Sequence, residues 1–226
     1  MSNNSQPTLS PMVQKFINEV TKKYSPKFVI KDKTHKTGLY AVASFFAKIF
    51  SPEIDSRYLT QVLNECWLPP HILSYSDADF IQTLAHETMH ERDRQEWSSL
   101  GAFLLYGTPQ ILAMFSLLSF LALGFGLGWL ACLGFLVFLL PIPAPGRMWM
   151  ELRAYRVNML FIRHVYHAPK EHLEAMALHY SKQFTESSYY FMWPFKNHII
   201  SLLLEEKPHP FYDEVKTWLE ANNFIQ

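Results

Sequence analysis

Apolar residues near the start of the chain recur at helical spacing. Val13, Phe16, Ile17, Val20 and Tyr24 fall at i, i+3, i+4, i+7 and i+11, and Pro11 suits a first helical position. Residues 1–10, rich in Ser, Asn, Gln and Pro, read as a flexible tail. Phe28-Val29-Ile30, set among lysines, predicts one short strand. Gly38 to Phe50 is mostly apolar but well short of the ~20 residues a membrane span needs, which predicts a buried helix. Arg57 to Asn64 has strand composition and runs into turn signals at Trp67-Leu68-Pro69-Pro70. Ser-Asp-Ala-Asp at 76–79 then offers an N-cap and an acidic first turn. The helix it opens should pass through Leu84, His86 and His90 to about Arg94.

The polar positions then stop. From Trp97 to Gly146, fifty residues in a row, there is no Asp, Glu, Lys or Arg. The most apolar part, Phe103 to Leu140, is 38 residues long, too much for one ~30 Å span and enough for two of ~18 to 20 residues. Gly124, Gly126 and Gly128 offer a reversal point, giving a hairpin that rises over about 101–123 and returns over about 127–143. Trp97 and Trp149 fall at one expected interface and Trp129 lies by the turn. Arg92 and Arg94 precede the hairpin, and Arg147, Arg153 and Arg156 follow it. Basic residues on both flanks favour placing both ends in the cytoplasm. A buried helical hairpin of a soluble protein is the alternative. Beyond it the pattern predicts helices over 147–166 and 169–184, an aromatic stretch at 189–195, and two short helices near 196–206 and 211–222. The result is a mainly α chain with a small β-sheet.

Composition alone hides this division. The 226 residues carry 20 basic and 20 acidic side chains, so the formal net charge is zero. That balance argues against nucleic-acid binding, which needs a basic excess or stripe. Two cysteines, Cys66 and Cys132, suggest no disulfide framework and point to a reducing compartment. The polar start has no basic region followed by an apolar one, so no secretory signal is expected.

The sharpest chemical signal is His86-Glu87-Thr88-Met89-His90. On a helix, positions i and i+4 share a face, so both imidazoles can reach one metal ion. Glu87 lies about 100° round from His86, where a carboxylate can take a proton from an attacking water. An exposed helix with two ordinary histidines would read the same way. The apolar flank of Phe80, Ile81 and Leu84, the cap and the upstream strand favour a site. A third ligand is required for a catalytic zinc centre. Asp93 shares the face of His86 but lies about 10 Å along an unbroken helix. Glu96 has the position of a longer metzincin motif, but the histidine expected there and the glycine expected at 93 are both absent. Glu151, early in the helix after the hairpin, is the better candidate, because a hairpin that returns to the same side brings it back towards His90. Its alternative is a surface carboxylate paired with an arginine.

These residues resemble the HtpX-like membrane zinc metallopeptidases, which include the CAAX prenyl endopeptidases. The matching stretches are His86 to His90, the 101–143 hairpin, Glu151-Leu-Arg-Ala-Tyr155 and His209-Pro210-Phe-Tyr-Asp-Glu-Val215, in the family's order over about residues 57–219. The resemblance implies a zincin-like core with an inserted transmembrane hairpin. The core would be formed by residues 11–100 and 144–226. It implies zinc held by His86, His90 and Glu151, Glu87 as general base, His209 as oxyanion stabiliser, and a membrane or membrane-proximal polypeptide as substrate. Tyr155 stands where the family has Asp, and Val215 where it has Arg. The family's amino-terminal transmembrane pair has no counterpart. Tyr189 and Tyr190 are further oxyanion candidates. These departures leave open a catalytically weak or inactive scaffold acting as a binding or regulatory module.

Overall fold

The computed structural model describes residues 9–33, 60–62, 65–140, 142–186 and 192–225. In chain order the elements begin with α1 (Pro11–Phe16), a π-helical turn (Ile17–Thr21) and α2 (Lys22–Tyr24). The strands follow: β1 (Val29–Asp32), β2 (Thr60–Val62) and β3 (Glu65–Leu68). Next come a 3-10 turn (Pro70–Ser74), α3 (Asp77–Trp97) and α4 (Ser99–Gly107). The apolar region continues as a 3-10 segment (Gln110–Leu121), α5 (Ala122–Phe125) and a second 3-10 segment (Leu127–Leu139). The chain closes with α6 (Pro145–His164), α7 (Lys170–Thr185), α8 (Lys196–Leu204) and α9 (Pro210–Ala221). It divides into two compact units: Met1–Arg92, His164–Tyr166 and Pro208–Gln226 form one, and Asp93–Arg163 with His167–Lys207 form the other.

In the first unit, α1 starts where the sequence predicts. Ser10 Oγ accepts from the Val13 N–H at 3.2 Å, and Pro11 fills a first-turn position that has no partner for an N–H. The predicted stripe of Val13, Phe16, Ile17 and Val20 is buried. Thr21 is buried with it, and its Oγ1 lies 3.0 Å from Thr88 Oγ1. Thr88 donates its own proton to the Leu84 carbonyl at 2.7 Å, so Thr21 is the donor to Thr88. Phe16 meets the Trp218 ring edge-on at 4.9 Å, and the Trp218 indole N–H donates to Glu19. The amphipathic α9 seats its apolar face in the same interior, with Phe211, Val215, Trp218 and Leu219 all buried.

The sheet has the order β1-β3-β2. β1 runs parallel to β3, with Ile30 opposite Cys66, and β2 runs antiparallel to it, with Gln61 also opposite Cys66. The strand expected over 57–64 is described as β2, which lies at a sheet edge. The turn expected from residue 67 begins later. Trp67 and Leu68 belong to the central strand, where Cys66, Trp67 and Leu68 are almost wholly buried. A central strand covered on both faces reads as a continuous apolar run, so it lacks the alternation that marks a strand in sequence. The helix expected over 38–50 and most of the tail expected over 1–10 lie outside the described residues.

α3 opens as predicted and runs about one turn further, to Trp97. The Ser76 hydroxyl accepts from the Asp79 N–H at 3.2 Å and donates to the Asp79 carboxylate at 2.6 Å. The two residues hold each other as in a capping box, with the carboxylate at the third position taking the hydroxyl proton.

In the second unit, Leu152, Tyr155, Met159 and Ile162 make one stripe of α6. They pack with Ala177 and Phe184 of α7, Ile199 and Leu203 of α8, and Met192. The Arg156 guanidinium closes the last turn of α8 by donating to the Leu202 carbonyl at 2.8 and 2.9 Å.

The apolar fifty residues fold back on themselves. Gly126 makes the reversal at φ 106°, a conformation that favours glycine. The segments on either side of it pack together, with Phe115 and Phe135 rings 5.4 Å apart. The ends also meet. Trp97 and Trp149 lie 6.1 Å apart, and Arg147 donates to the Tyr106 carbonyl at 3.1 Å and to Gln110 Oε1 at 3.2 Å. Gly146 sits so close to this base that a Cβ there would fall 2.3 Å from the Leu105 carbonyl oxygen. The arms differ from the two continuous helices expected. The rising arm breaks at Thr108-Pro109, where proline has no N–H to continue a helix, and Ser99–Gly107 and Gln110–Phe125 are bent by 90°. No single helix among the described residues is long and apolar enough to cross a membrane. The tip is nonetheless bare, with Leu123 91% and Phe125 78% exposed.

Replacing Ser76 by Ala removes the α3 cap and should lower stability by about 1 kcal/mol, read as a reduced denaturation midpoint with an unchanged slope.

Candidate metal centre

Helical spacing brings the first two side chains together. His86 and His90 stand one turn apart on α3, with ring centroids 5.2 Å apart and planes at 76°. Glu151 comes from the first half of α6. The ligand atoms that His86, His90 and Glu151 offer all lie within 4.8 Å of one another, and among the described residues this is the group able to hold a metal ion. Tetrahedral zinc bonds of ~2.0–2.1 Å place ligands roughly 3.4 Å apart, so small side-chain rotations close the set. Two imidazoles and one carboxylate offer three donors to such an ion.

Glu151 is not a surface carboxylate. It is only 3% exposed, and the Tyr106 hydroxyl donates to its Oε1 at 2.9 Å. Sequence reasoning did not single out Tyr106, yet it is the lone tyrosine in the fifty charge-free residues. A phenol in so apolar a stretch needs a hydrogen-bond partner, and that need is the signal by which it could have been found.

Glu87 lies within electrostatic reach of the central strand. Burial pushes the Cys66 thiol well above its ordinary range, Glu87 adds to the rise, Lys33 opposes it, and Glu91 adds a smaller share. The two acidic residues weighed as third ligands have another task. Asp93 is fully buried and pairs with Arg153 at 2.9 Å, and Glu96, largely exposed, pairs with the same guanidinium at 3.2 Å.

The later stretches quoted for the resemblance take the following places. Tyr155 is packed in the aromatic core, 4.9 Å from the Tyr180 ring and 5.6 Å from Phe184. Val215 is fully buried on α9. A guanidinium of α3 lies beside His209: Arg92 Nη1 is 2.6 Å from His209 Nε2. A guanidinium only donates, so Nε2 accepts and the ring carries its proton on Nδ1. The Nδ1 contact to the Phe211 N–H at 3.3 Å belongs to the other tautomer and is the weaker of the two. His209 is thus engaged at the start of α9 and is not among the three grouped ligand residues. His71, His179 and His198 make ring contacts with Tyr75, Tyr180 and Trp193. Tyr189 and Tyr190 lie outside the described residues. No family model matches the chain, and no curated protein or solved structure does either.

Two measurements follow from this geometry. Tyr106→Phe should weaken metal binding by roughly 10-fold or more, read by chelator competition, because it removes the hydrogen bond that orients a ligand carboxylate. The raised Cys66 thiol stays protonated in the folded chain while the unfolded chain ionises at about pH 8.5, so its stabilising share is complete below that pH and is lost as pH rises. Denaturant titrations from neutral to alkaline pH should show this fall, and Cys66→Ala should flatten it.

Proposed function

We propose that the chain is a membrane-embedded zinc-dependent endopeptidase of the HtpX-like kind, acting on peptide bonds of membrane or membrane-proximal polypeptides. The observation that carries the reading is the convergence of His86, His90 and Glu151 on one point. The donor set suits zinc, which when bound polarises a carbonyl and acidifies water. Glu87, adjacent to a ligand but turned about 100° from it, takes the proton of the attacking water and returns it to the leaving amine. A substrate strand pairs with the edge of the sheet at β2, so that backbone hydrogen bonds set its register before any side chain is read.

The hairpin supplies the membrane part of the reading. Its first 3-10 segment has 12 residues and α5 has 4, and the returning segment has 13. At ~2.0 Å per 3-10 residue and ~1.5 Å per α residue, the arms reach about 30 Å and about 26 Å, comparable with a ~30 Å hydrocarbon layer. Bare Leu123 and Phe125 at the tip suit lipid better than water. Arginines on both flanks favour the cytoplasmic side for the base and the site near it.

A second reading keeps the scaffold and loses the reaction. It is favoured by Tyr155, whose ring is committed to the core where the family has a metal-orienting Asp. The protein would then bind a polypeptide without cleaving it.

Metal analysis of the purified protein should find about one zinc per chain, lost in His86→Ala. Glu87→Gln should retain the zinc and cut turnover of a membrane-associated peptide by roughly 10²- to 10⁴-fold. Zinc retention with no cleavage by the wild-type protein would select the second reading, and recovery without detergent would remove the membrane assignment.

A further inference from the structure

The Asp93–Arg153 ion pair is unusual in its burial: the Asp93 side chain is 0% exposed and the Arg153 side chain 6%. Charges leave water at high cost unless they are paired and held in place, so such a pair is weak evidence for stability and better evidence for a fixed geometry. Its position gives that geometry a meaning. Asp93 follows His90 by three residues, close to one turn, on the face of α3 that carries both histidines. Arg153 follows Glu151 by two residues on α6. The bond between them joins the two helices that carry the ligands, three residues from His90 on one and two from Glu151 on the other. Arg153 is fixed from other sides as well. Its guanidinium carbon lies 4.3 Å from the centre of the Trp149 ring, and Glu96 takes the same terminal nitrogen at 3.2 Å. Trp149 in turn meets Trp97 at the base of the hairpin.

We propose that Asp93 and Arg153 form a positioning clamp that sets the separation of Glu151 from the two histidines. The inference rests on the metal-site reading above, and it gives a physical counterpart to the carboxylate missing at position 155. An acidic residue on the histidine helix, rather than one following the third ligand, holds the ligand helix in place. Neither residue touches the metal or substrate.

The test compares wild type with Asp93→Asn, Arg153→Met and the reversed pair Asp93→Arg/Arg153→Asp in full-length protein. Cobalt(II) serves as the probe, since its visible absorption reports coordination geometry, and zinc affinity is read by chelator competition. Each single variant should weaken zinc binding by roughly 10- to 100-fold and alter the cobalt spectrum. The reversed pair should recover much of both. An apolar pair, Asp93→Leu/Arg153→Met, guards against simple misfolding: it should keep the thermal transition of the metal-free protein yet show the weakened site. Metal binding by wild type with unchanged affinity and spectrum in folded variants would overturn the clamp alone. Absence of metal from wild type would overturn the site and the clamp together.

Discussion

A carboxylate that is 3% exposed must be compensated where it stands, because the ionised form loses its hydration and gains nothing from an apolar surrounding. Glu151 sets this requirement for the rest of the molecule. Tyr106 answers part of it with a hydrogen bond, and Tyr106 can do so only because α4 and α6 meet at the base of the hairpin. That meeting depends in turn on Gly146, where a side chain would strike the Leu105 carbonyl, and on Arg147, which ties Tyr106 and Gln110 together. The closure of the apolar hairpin and the hydrogen bond that holds Glu151 are therefore one construction.

The same requirement explains how charge is arranged nearby. Asp93 and Arg153 are buried as a pair, with the guanidinium also laid over Trp149. Arg92, on the same helix as Asp93, turns to His209 at the start of α9 instead. Successive polar residues of α3 thus serve separate partners. The helix can carry His86 and His90 at one face because its other faces are anchored by Leu84, Met89 and Thr88 in the apolar interior.

Much of this was legible in the order of residues. The α1 stripe, the Ser76 cap, the bend at Gly126 and the helices after Pro145 follow from local spacing and from residues whose backbone preferences are strong. So does the pairing of His86 with His90, since four residues always return to the same helical face. Glu151 was identifiable because a hairpin that closes on itself must bring its two flanks together. What escaped were features in which a local signal misleads. Trp67 and Leu68 precede two prolines and look like a turn, yet pairing with two neighbours makes them a central strand. Pro109 breaks an arm that hydropathy alone reads as continuous.

The sequence by itself determined the mainly helical class, the two histidines on one face and the apolar hairpin that separates them from Glu151. Those depend on periodicity and composition, which act over a few residues. Only the tertiary structure decided that Tyr106 holds Glu151, that Asp93 pairs with Arg153, that Arg92 reaches His209, and that Tyr155 is packed into the core. The first three join residues at least 45 positions apart, and the fourth joins three separate helices. A side chain's partner at that distance is fixed by how the helices pack, and no short-range pattern encodes it.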